Sequence, residues 1–156
     1  MKHEMFMRMA VDLALENVLT NKGGPFGAVI VRNGRIISIG RNQVTAKNDP
    51  SAHAEIEAIR AACKYLNTYQ LTGCELYTSS EPCPMCLGAV YWAKLNGIYY
   101  AATSKDAAKI GFEDEYIYKQ FNLPIEHRSI PMFRIVPENT YAPFNAWIKQ
   151  PYKQGY

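Results

Sequence analysis

The middle of the sequence carries a strand pattern, a helix pattern and a second strand pattern in succession. The run CELYTSS (Cys74 to Ser80) predicts a strand, CPMCLGAVYWAKL predicts a helix with Pro84 near its start, and NGIYYAAT predicts another strand. Elements of these lengths are typical of a βαβ unit, in which two parallel strands are joined by a right-handed crossover. The sequence therefore predicts an α/β fold.

Strand and helix patterns outside the βαβ unit predict further elements, which together form one mixed sheet with helices on both faces. The apolar runs Phe26 to Val31 and Arg35 to Ile39 flank Asn33-Gly34, a pair that favours the type I′ turn of a β-hairpin. The run MFRIV (132–136) predicts a late strand. Apolar residues at helical spacing also predict a first helix; they are Phe6, Met9, Ala10, Leu13 and Ala14.

A second helix is predicted after the hairpin, with Asp49 as its cap and Pro50 in its first turn. Its apolar stripe runs at steps of three and four, through Ala52, Ile56, Ile59, Cys63 and Leu66. Glu55 falls inside this stripe. Because a carboxylate on an inward face is costly unless it has a specific partner, Glu55 is a candidate functional residue.

Length and charge narrow the class of protein. A chain of 156 residues suits a single domain (1–156), and a net charge of +3 makes a nucleic-acid partner unlikely. Charges interrupt the apolar part of the first helix, which excludes a signal peptide, and no apolar run is long enough to suggest a membrane partner. We therefore expect a cytoplasmic protein whose four cysteines are reduced.

Cys83 and Cys86 form a CxxC pair, which is compatible with a metal site, a redox dithiol or a chance structural pair. His53 lies 30 residues upstream, also near a predicted helix start. Two thiolates and a neutral imidazole suit Zn²⁺, and helix N-termini favour the thiolate form. Three protein ligands leave one position for water, which is typical of a catalytic zinc site, where the pKa of water falls to about 7.

Glu55 follows His53 by two residues, so it can exchange protons with a water at such a site. Taken alone, His53 is compatible with a structural histidine at a helix start whose hydrogen bonds are all made. Glu55 alone is compatible with an acidic residue that interacts favourably with the helix dipole. The combination H-x-E with P-C-x-x-C is the signature of the zinc deaminases.

With "HAE" at 53–55 and "EPCPMC" at 81–86, the chain resembles the cytidine and purine deaminase superfamily. The segments GGPFGAVIV, NDPSAHAEIEAIR and GFEDEYIYK are similar to the small bacterial guanine deaminases. The resemblance implies a three-layer α/β/α cytidine-deaminase-like fold with a mixed five-stranded sheet. It also implies one Zn²⁺ per subunit, bound by His53, Cys83 and Cys86.

The same resemblance implies hydrolysis of guanine, a small purine base, to xanthine and ammonia by attack at C2. Glu55 is then the proton shuttle, and Asp114 contacts the amino group and assists proton transfer. Asn42 hydrogen-bonds the purine, Phe26 walls the ring, and Ala54 offers backbone contacts.

The resemblance further implies a homodimer in which residues 137–156 form an aromatic lid ending at Tyr156. This lid closes either its own site or the partner's site. The aromatic residues Phe144, Trp147 and Tyr152 independently indicate that the tail docks on another surface.

Alternatives remain open at this stage. A tRNA adenosine deaminase and a cytosine deaminase share the zinc motif, and a structural zinc or redox module needs only the CxxC pair. Glu113, Asp114 and Glu115 form an acidic run that is also typical of solvated surface. Asn42 is equally compatible with a turn cap, and Tyr156 with a frayed chain end.

Overall fold

The computed structural model describes residues 2–156, which divide into two compact units, one ending at Tyr118 and one spanning Lys119–Tyr156. The elements follow in the order α1 (Lys2–Leu19), β1 (Gly27–Arg32), β2 (Arg35–Arg41), α2 (Val44–Lys47), α3 (Ala54–Leu66), β3 (Cys74–Ser80), α4 (Pro84–Trp92), β4 (Gly97–Ala102), α5 (Ser104–Lys109), α6 (Asp114–Phe121), a 3₁₀ turn (Ile125–His127) and α7 (Ala142–Lys149).

The strands of the first unit form a mixed sheet in the order β2-β1-β3-β4. Strand β1 is antiparallel to both β2 and β3, whereas β3 and β4 are parallel. The predicted first helix, the hairpin and the βαβ unit are all present. The turn residues Asn33 and Gly34 have the positive φ angles, 51° and 72°, that a type I′ turn requires.

The prediction of a five-stranded sheet is wrong, because the sheet formed by the described residues has four strands. The run 132–136, which was predicted to be the additional strand, is irregular backbone in the second unit. Its composition has high β propensity, but a strand also needs a neighbouring strand, and pairing is set by tertiary structure rather than by local sequence.

Side chains alternate between the two faces of the sheet, and each face has its own apolar cluster. The cluster on one face joins α1 to β1 and β3 through Phe6, Ala10, Leu13, Val29, Val31 and Tyr77. The cluster on the other face joins α3 and α4 to the same strands, and its members include Ala28, Ile30, Ala54, Ala58, Ala62, Leu76, Val90 and Ala93. The predicted three-layer α/β/α arrangement is thereby confirmed.

Helix α3 begins later than predicted. Its first residue is Ala54 and its N-cap is His53, so the expected cap at Asp49 is wrong. The Asp49 carboxylate instead accepts hydrogen bonds from the backbone N–H (2.8 Å) and the hydroxyl (2.6 Å) of Ser51. This local Asx turn competes with helix formation and shifts the helix start by one turn. As a consequence, His53 stands at the helix terminus.

Two glycines allow the helices on opposite faces to contact the sheet backbone closely. A Cβ atom at Gly27 would lie 2.7 Å from the backbone nitrogen of Ala14 in α1. A Cβ atom at Gly40 would lie 2.6 Å from the backbone nitrogen of Ala58 and would overlap the carbonyl of Ala54 in α3. Gly40 therefore sets the distance between β2 and the first turn of α3.

The second unit contains the 3₁₀ turn and α7, and most of its side chains are exposed. Several large apolar side chains are among them, including Phe133, Ile135, Phe144 and Tyr152. Within residues 2–156, no helix is both long and apolar enough to cross a lipid bilayer.

We predict that Gly40→Ala lowers the free energy of unfolding by about 1–3 kcal/mol, because the added methyl group displaces the first turn of α3 from β2. Equilibrium unfolding in urea measures the change. Gly88→Ala in α4 is the matched control, since a Cβ atom there has nothing within 4 Å. The control should be stabilised by about 0.5–1 kcal/mol, as expected for alanine in a helix. Equal stability of Gly40→Ala and wild type would show that this close approach is not required.

Candidate metal centre and substrate cavity

Two helix N-termini bring the predicted metal ligands together. His53 is the N-cap of α3, Cys83 is the N-cap of α4, and Cys86 is the third residue of α4. His53 Nδ1 lies 3.5 Å from the Sγ atom of each cysteine. The candidate ligand atoms of the three residues all lie within 4.8 Å of one another. The structure thus brings together the three residues that the sequence predicted as ligands.

The spacing and chemistry of this group fit zinc. Zn–S and Zn–N bonds of about 2.3 and 2.0–2.1 Å in a tetrahedral site place sulfur and nitrogen about 3.6 Å apart, close to the observed 3.5 Å. Two thiolates neutralise the charge of Zn²⁺, and histidine binds it as a neutral base. One zinc ion per chain therefore matches these three residues.

The Cys83 and Cys86 sulfurs affect each other's pKa through the hydrogen bond between them. A hydrogen bond from Cys86, and a second from His53, lower the pKa of Cys83 to about 4. The same Cys83–Cys86 hydrogen bond, together with burial, raises the pKa of Cys86. The hydrogen bond with Cys83 also raises the pKa of His53. A bound divalent cation supplies the positive charge that favours loss of the remaining thiol proton.

Glu55 lies in the first turn of α3 and is only 5% exposed. Its Oε1 accepts a hydrogen bond of 3.2 Å from the hydroxyl of Thr78 in β3, and its Oε2 lies 3.5 Å from Cys86 Sγ. Burial raises the pKa of the Glu55 carboxyl. The carboxylate predicted on the inward face of the helix therefore adjoins the metal-ligand group, which is the geometry a proton shuttle requires.

A cavity of about 280 Å³ opens beside these residues. His53, Glu55 and Cys83 line it, and so do three residues that the sequence predicted as substrate contacts or as catalytic: Phe26, Asn42 and Asp114. The remaining predicted site residues do not line this cavity. Ala54 and Cys86 are fully buried, and Tyr156 belongs to the second unit.

Asn42 is held by the loop on which it lies. Its side-chain Oδ1 accepts a hydrogen bond of 3.3 Å from the backbone N–H of Val44, as in the turn cap that was considered as an alternative role. Its backbone carbonyl accepts a hydrogen bond of 3.0 Å from the buried amide of Asn17, which also donates to the Gly24 carbonyl at 2.8 Å. Asn17 therefore connects α1 to two segments of the cavity wall.

An aromatic pair forms another part of the wall. The rings of Phe26 and Phe112 meet edge to face, with centroids 4.8 Å apart and an interplanar angle of 89°.

Asp114 is the first residue of α6 and is half-buried. Burial, and then the nearby Cys83 thiolate, raise the pKa of Asp114. The Tyr118 hydroxyl of the same helix donates to the Pro82 carbonyl at 2.9 Å, beside the cysteine pair.

The sequence patterns gave no role to two residues that line the cavity, Phe112 and Glu81, although both lie within the quoted motifs. They also gave no role to Asn17 and Thr78, which support the site from outside the cavity. Asn17 and Thr78 act on the site through partners far away in the sequence, 25 and 23 residues apart respectively. Only the strand register and the packing of α1 reveal these contacts.

Comparisons with known proteins agree with this geometry. Residues 1–102 match the family described as the cytidine and deoxycytidylate deaminase zinc-binding region. The chain is 55% identical over 147 residues to a guanine deaminase of Bacillus subtilis (strain 168), with 94% of each chain covered. It is 41% identical over 105 residues to a tRNA-specific adenosine deaminase of Aquifex aeolicus (strain VF5), with 67% of this chain and 69% of the relative covered.

Solved structures show the same relationship. The X-ray structure of guanine deaminase from Bacillus subtilis superposes with a TM-score of 0.97 at 53% identity, covering 100% of this chain and 99% of that one. A guanine deaminase from Nitrosomonas europaea has a TM-score of 0.67 at 32% identity, covering 90% and 70% of the two chains. The fold, the His-Cys-Cys group and the match over residues 1–102 together place the chain in the zinc-binding cytidine and deoxycytidylate deaminase family.

Proposed function

We propose that this protein hydrolyses guanine to xanthine and ammonia. The observation that carries the proposal is the cavity in which the zinc-ligand group and Glu55 adjoin Phe26, Asn42 and Asp114. The guanine deaminase of Bacillus subtilis, which is similar over 94% of both chains, supports the choice of guanine over other bases.

In the proposed reaction, water adds at C2 of guanine, the bond from C2 to the exocyclic nitrogen breaks, and ammonia leaves. His53, Cys83 and Cys86 would hold the zinc ion, which would supply a nucleophile at neutral pH by lowering the pKa of a water molecule. Glu55 accepts a proton from the attacking water and delivers it to a ring nitrogen. It then accepts the proton of the new C2 hydroxyl group and delivers it to the departing amine, so that both water protons are accounted for. Its position beside Cys86 keeps the carboxylate within reach of the reacting water.

The other cavity residues select and orient the base. We propose that Asp114 accepts hydrogen bonds from the amino group and the ring N–H of guanine, and that Asn42 hydrogen-bonds another part of its edge. Phe26 packs against the ring, while Ala54 contributes backbone contacts. A buried polar site of this kind rejects an analogue that leaves one of its groups without a partner.

We also propose that the protein is a homodimer in which residues 137–156 cover the cavity, with Tyr156 contacting the base. The support comes from the exposed aromatic side chains of this segment: Tyr152 is 93% exposed, and Phe144 and Trp147 are also exposed. Burial of such residues against a partner subunit removes apolar surface from water. Closing the cavity also excludes water and strengthens the hydrogen bonds to the base.

The alternative is deamination of adenosine in tRNA. Its support is the similarity to tRNA-specific adenosine deaminases, which covers 67% of this chain in the Aquifex aeolicus protein. Recognition of an RNA loop requires contacts to several nucleotides and phosphates, and a net charge of +3 provides little electrostatic attraction for them.

We predict that ammonia release is fastest with free guanine. The assay compares guanine, adenine, cytosine, their nucleosides and a tRNA anticodon stem-loop at equal enzyme concentration. Guanine should exceed the other substrates by about 10²-fold or more, because each mismatched edge leaves a buried polar group without a partner. Turnover of the stem-loop alone would establish the tRNA alternative and refute guanine as the substrate.

We predict that Glu55→Gln retains zinc but lowers the rate of ammonia release by about 10²–10⁴-fold, since the amide cannot carry the proton. Glu57→Gln, two residues further along α3 and ion-paired with Lys47 and Arg60, is the matched control and should retain activity. Zinc content is measured by atomic emission on both variants. Full activity of Glu55→Gln would refute the shuttle.

Deletion of residues 152–156 should abolish guanine turnover while zinc content and melting temperature stay near wild type. Gln154→Ala, in the exposed tail, is the control and should remain active.

Mixing the deleted variant with Glu55→Gln then tests which subunit each tail closes. If tails close the partner's site, a mixed dimer contains one site with an intact Glu55 from the deleted subunit and an intact tail from the Glu55→Gln subunit, and activity is recovered. Active dimers of the deleted variant alone would contradict the lid, and absence of recovery would show closure within one subunit.

A further inference from the structure

Thr78 places a hydroxyl group in the apolar interior beneath the candidate site. It is 1% exposed and lies on β3, between β1 and β4, where it pairs with Ala28 and Tyr100. The preceding residues on the same face of the strand, Cys74 and Leu76, belong to the apolar cluster beneath α3 and α4. Valine has the same shape as threonine and would suit this environment better, so the hydroxyl requires a specific reason.

That hydroxyl donates to Glu55. The distance from Thr78 Oγ1 to Glu55 Oε1 is 3.2 Å, and the other carboxylate oxygen, Oε2, lies 3.5 Å from Cys86 Sγ. One oxygen is therefore tied to the central sheet, while the second faces the metal ligands. The two carboxylate oxygens therefore have different environments, and the Thr78 hydroxyl is the hydrogen-bond donor to the oxygen that faces the sheet.

We propose that Thr78 is a positioning residue for the reaction, which holds Glu55 through Oε1 so that Oε2 alone faces the reacting water. This inference rests on the proposed deaminase function. A glutamate side chain has several rotatable bonds, and displacement of a catalytic group by about 1 Å costs on the order of 10²-fold in rate. Threonine is well suited to restrain it, because its branched Cβ restricts χ1 and its strand is in the middle of the sheet.

The test compares two substitutions of Thr78 in the zinc-loaded full-length enzyme. Thr78→Val keeps the shape but removes the hydroxyl, and it should lower kcat for guanine about tenfold while KM stays within about twofold of wild type. Thr78→Ser keeps the hydroxyl and should recover most of the lost kcat. A role of Thr78 in packing alone predicts the opposite order, since serine leaves a methyl-sized void whereas valine does not.

Two measurements besides activity accompany the assay. Zinc content should be equal in all three proteins, and crystal structures should show Glu55 displaced from its wild-type rotamer in Thr78→Val but not in Thr78→Ser. Wild-type kcat in Thr78→Val, loss of its zinc, or a serine variant no better than the valine variant would each overturn the proposal. Failure of the wild-type enzyme to release ammonia from guanine would refute the proposed function instead, which separates the two outcomes.

Discussion

The site depends on the meeting of two helix N-termini at one end of the sheet. His53 precedes α3, Cys83 precedes α4, and the partial positive charge of each terminus favours the thiolates and the Glu55 carboxylate nearby. This meeting in turn requires that α3 approaches β2 at backbone distance, which the absence of a side chain at Gly40 permits. A packing constraint at the first turn of α3, next to His53 and Glu55, thus helps to position the three ligands for one ion.

Sequence patterns were sufficient for the parts of the molecule that local interactions determine. The Asn33-Gly34 turn and the β3–α4–β4 unit follow from turn chemistry and hydrophobic periodicity, and both are present. The cysteine pair could be located for the same reason, because its spacing fixes its geometry on one helical turn. His53 could be proposed as the third ligand because it also lies near a predicted helix start, but its distance from the pair is set by how α3 and α4 pack on the sheet.

Features set by tertiary contacts could not be predicted. The run 132–136 has the composition of a strand but lies in irregular backbone, since its state depends on which strand is available to pair with it. The start of α3 was misplaced because Asp49 and Ser51 form a turn that removes Pro50 from the helix. The role of Thr78 could not be predicted because threonine is common in strands, and only the tertiary structure shows that it lies beside Glu55.

The match to the wider family covers the metal ligands but only part of the cavity wall. Residues 1–102 contain the metal ligands and Glu55, whereas Phe112 and Asp114 lie beyond that match and line the same cavity. In the proposed reaction, activation of water and proton transfer by Glu55 need only the residues within the match. Discrimination between bases needs groups at the edge of the purine. Of the two groups proposed for that role, Asn42 lies within the match and Asp114 beyond it, so substrate choice can diverge in either part while the zinc site stays the same.

Burial links the catalytic groups to the stability of the fold. A carboxylate that is 5% exposed and two buried cysteines that would bind a metal as thiolates are unfavourable in an apolar interior without compensation. The Thr78 hydroxyl offsets part of this cost for Glu55, and a divalent cation offsets it for the sulfurs because it favours both thiolates. The ion that the proposed reaction needs would therefore also stabilise the folded state, to the extent that it binds the folded protein more tightly than the unfolded chain.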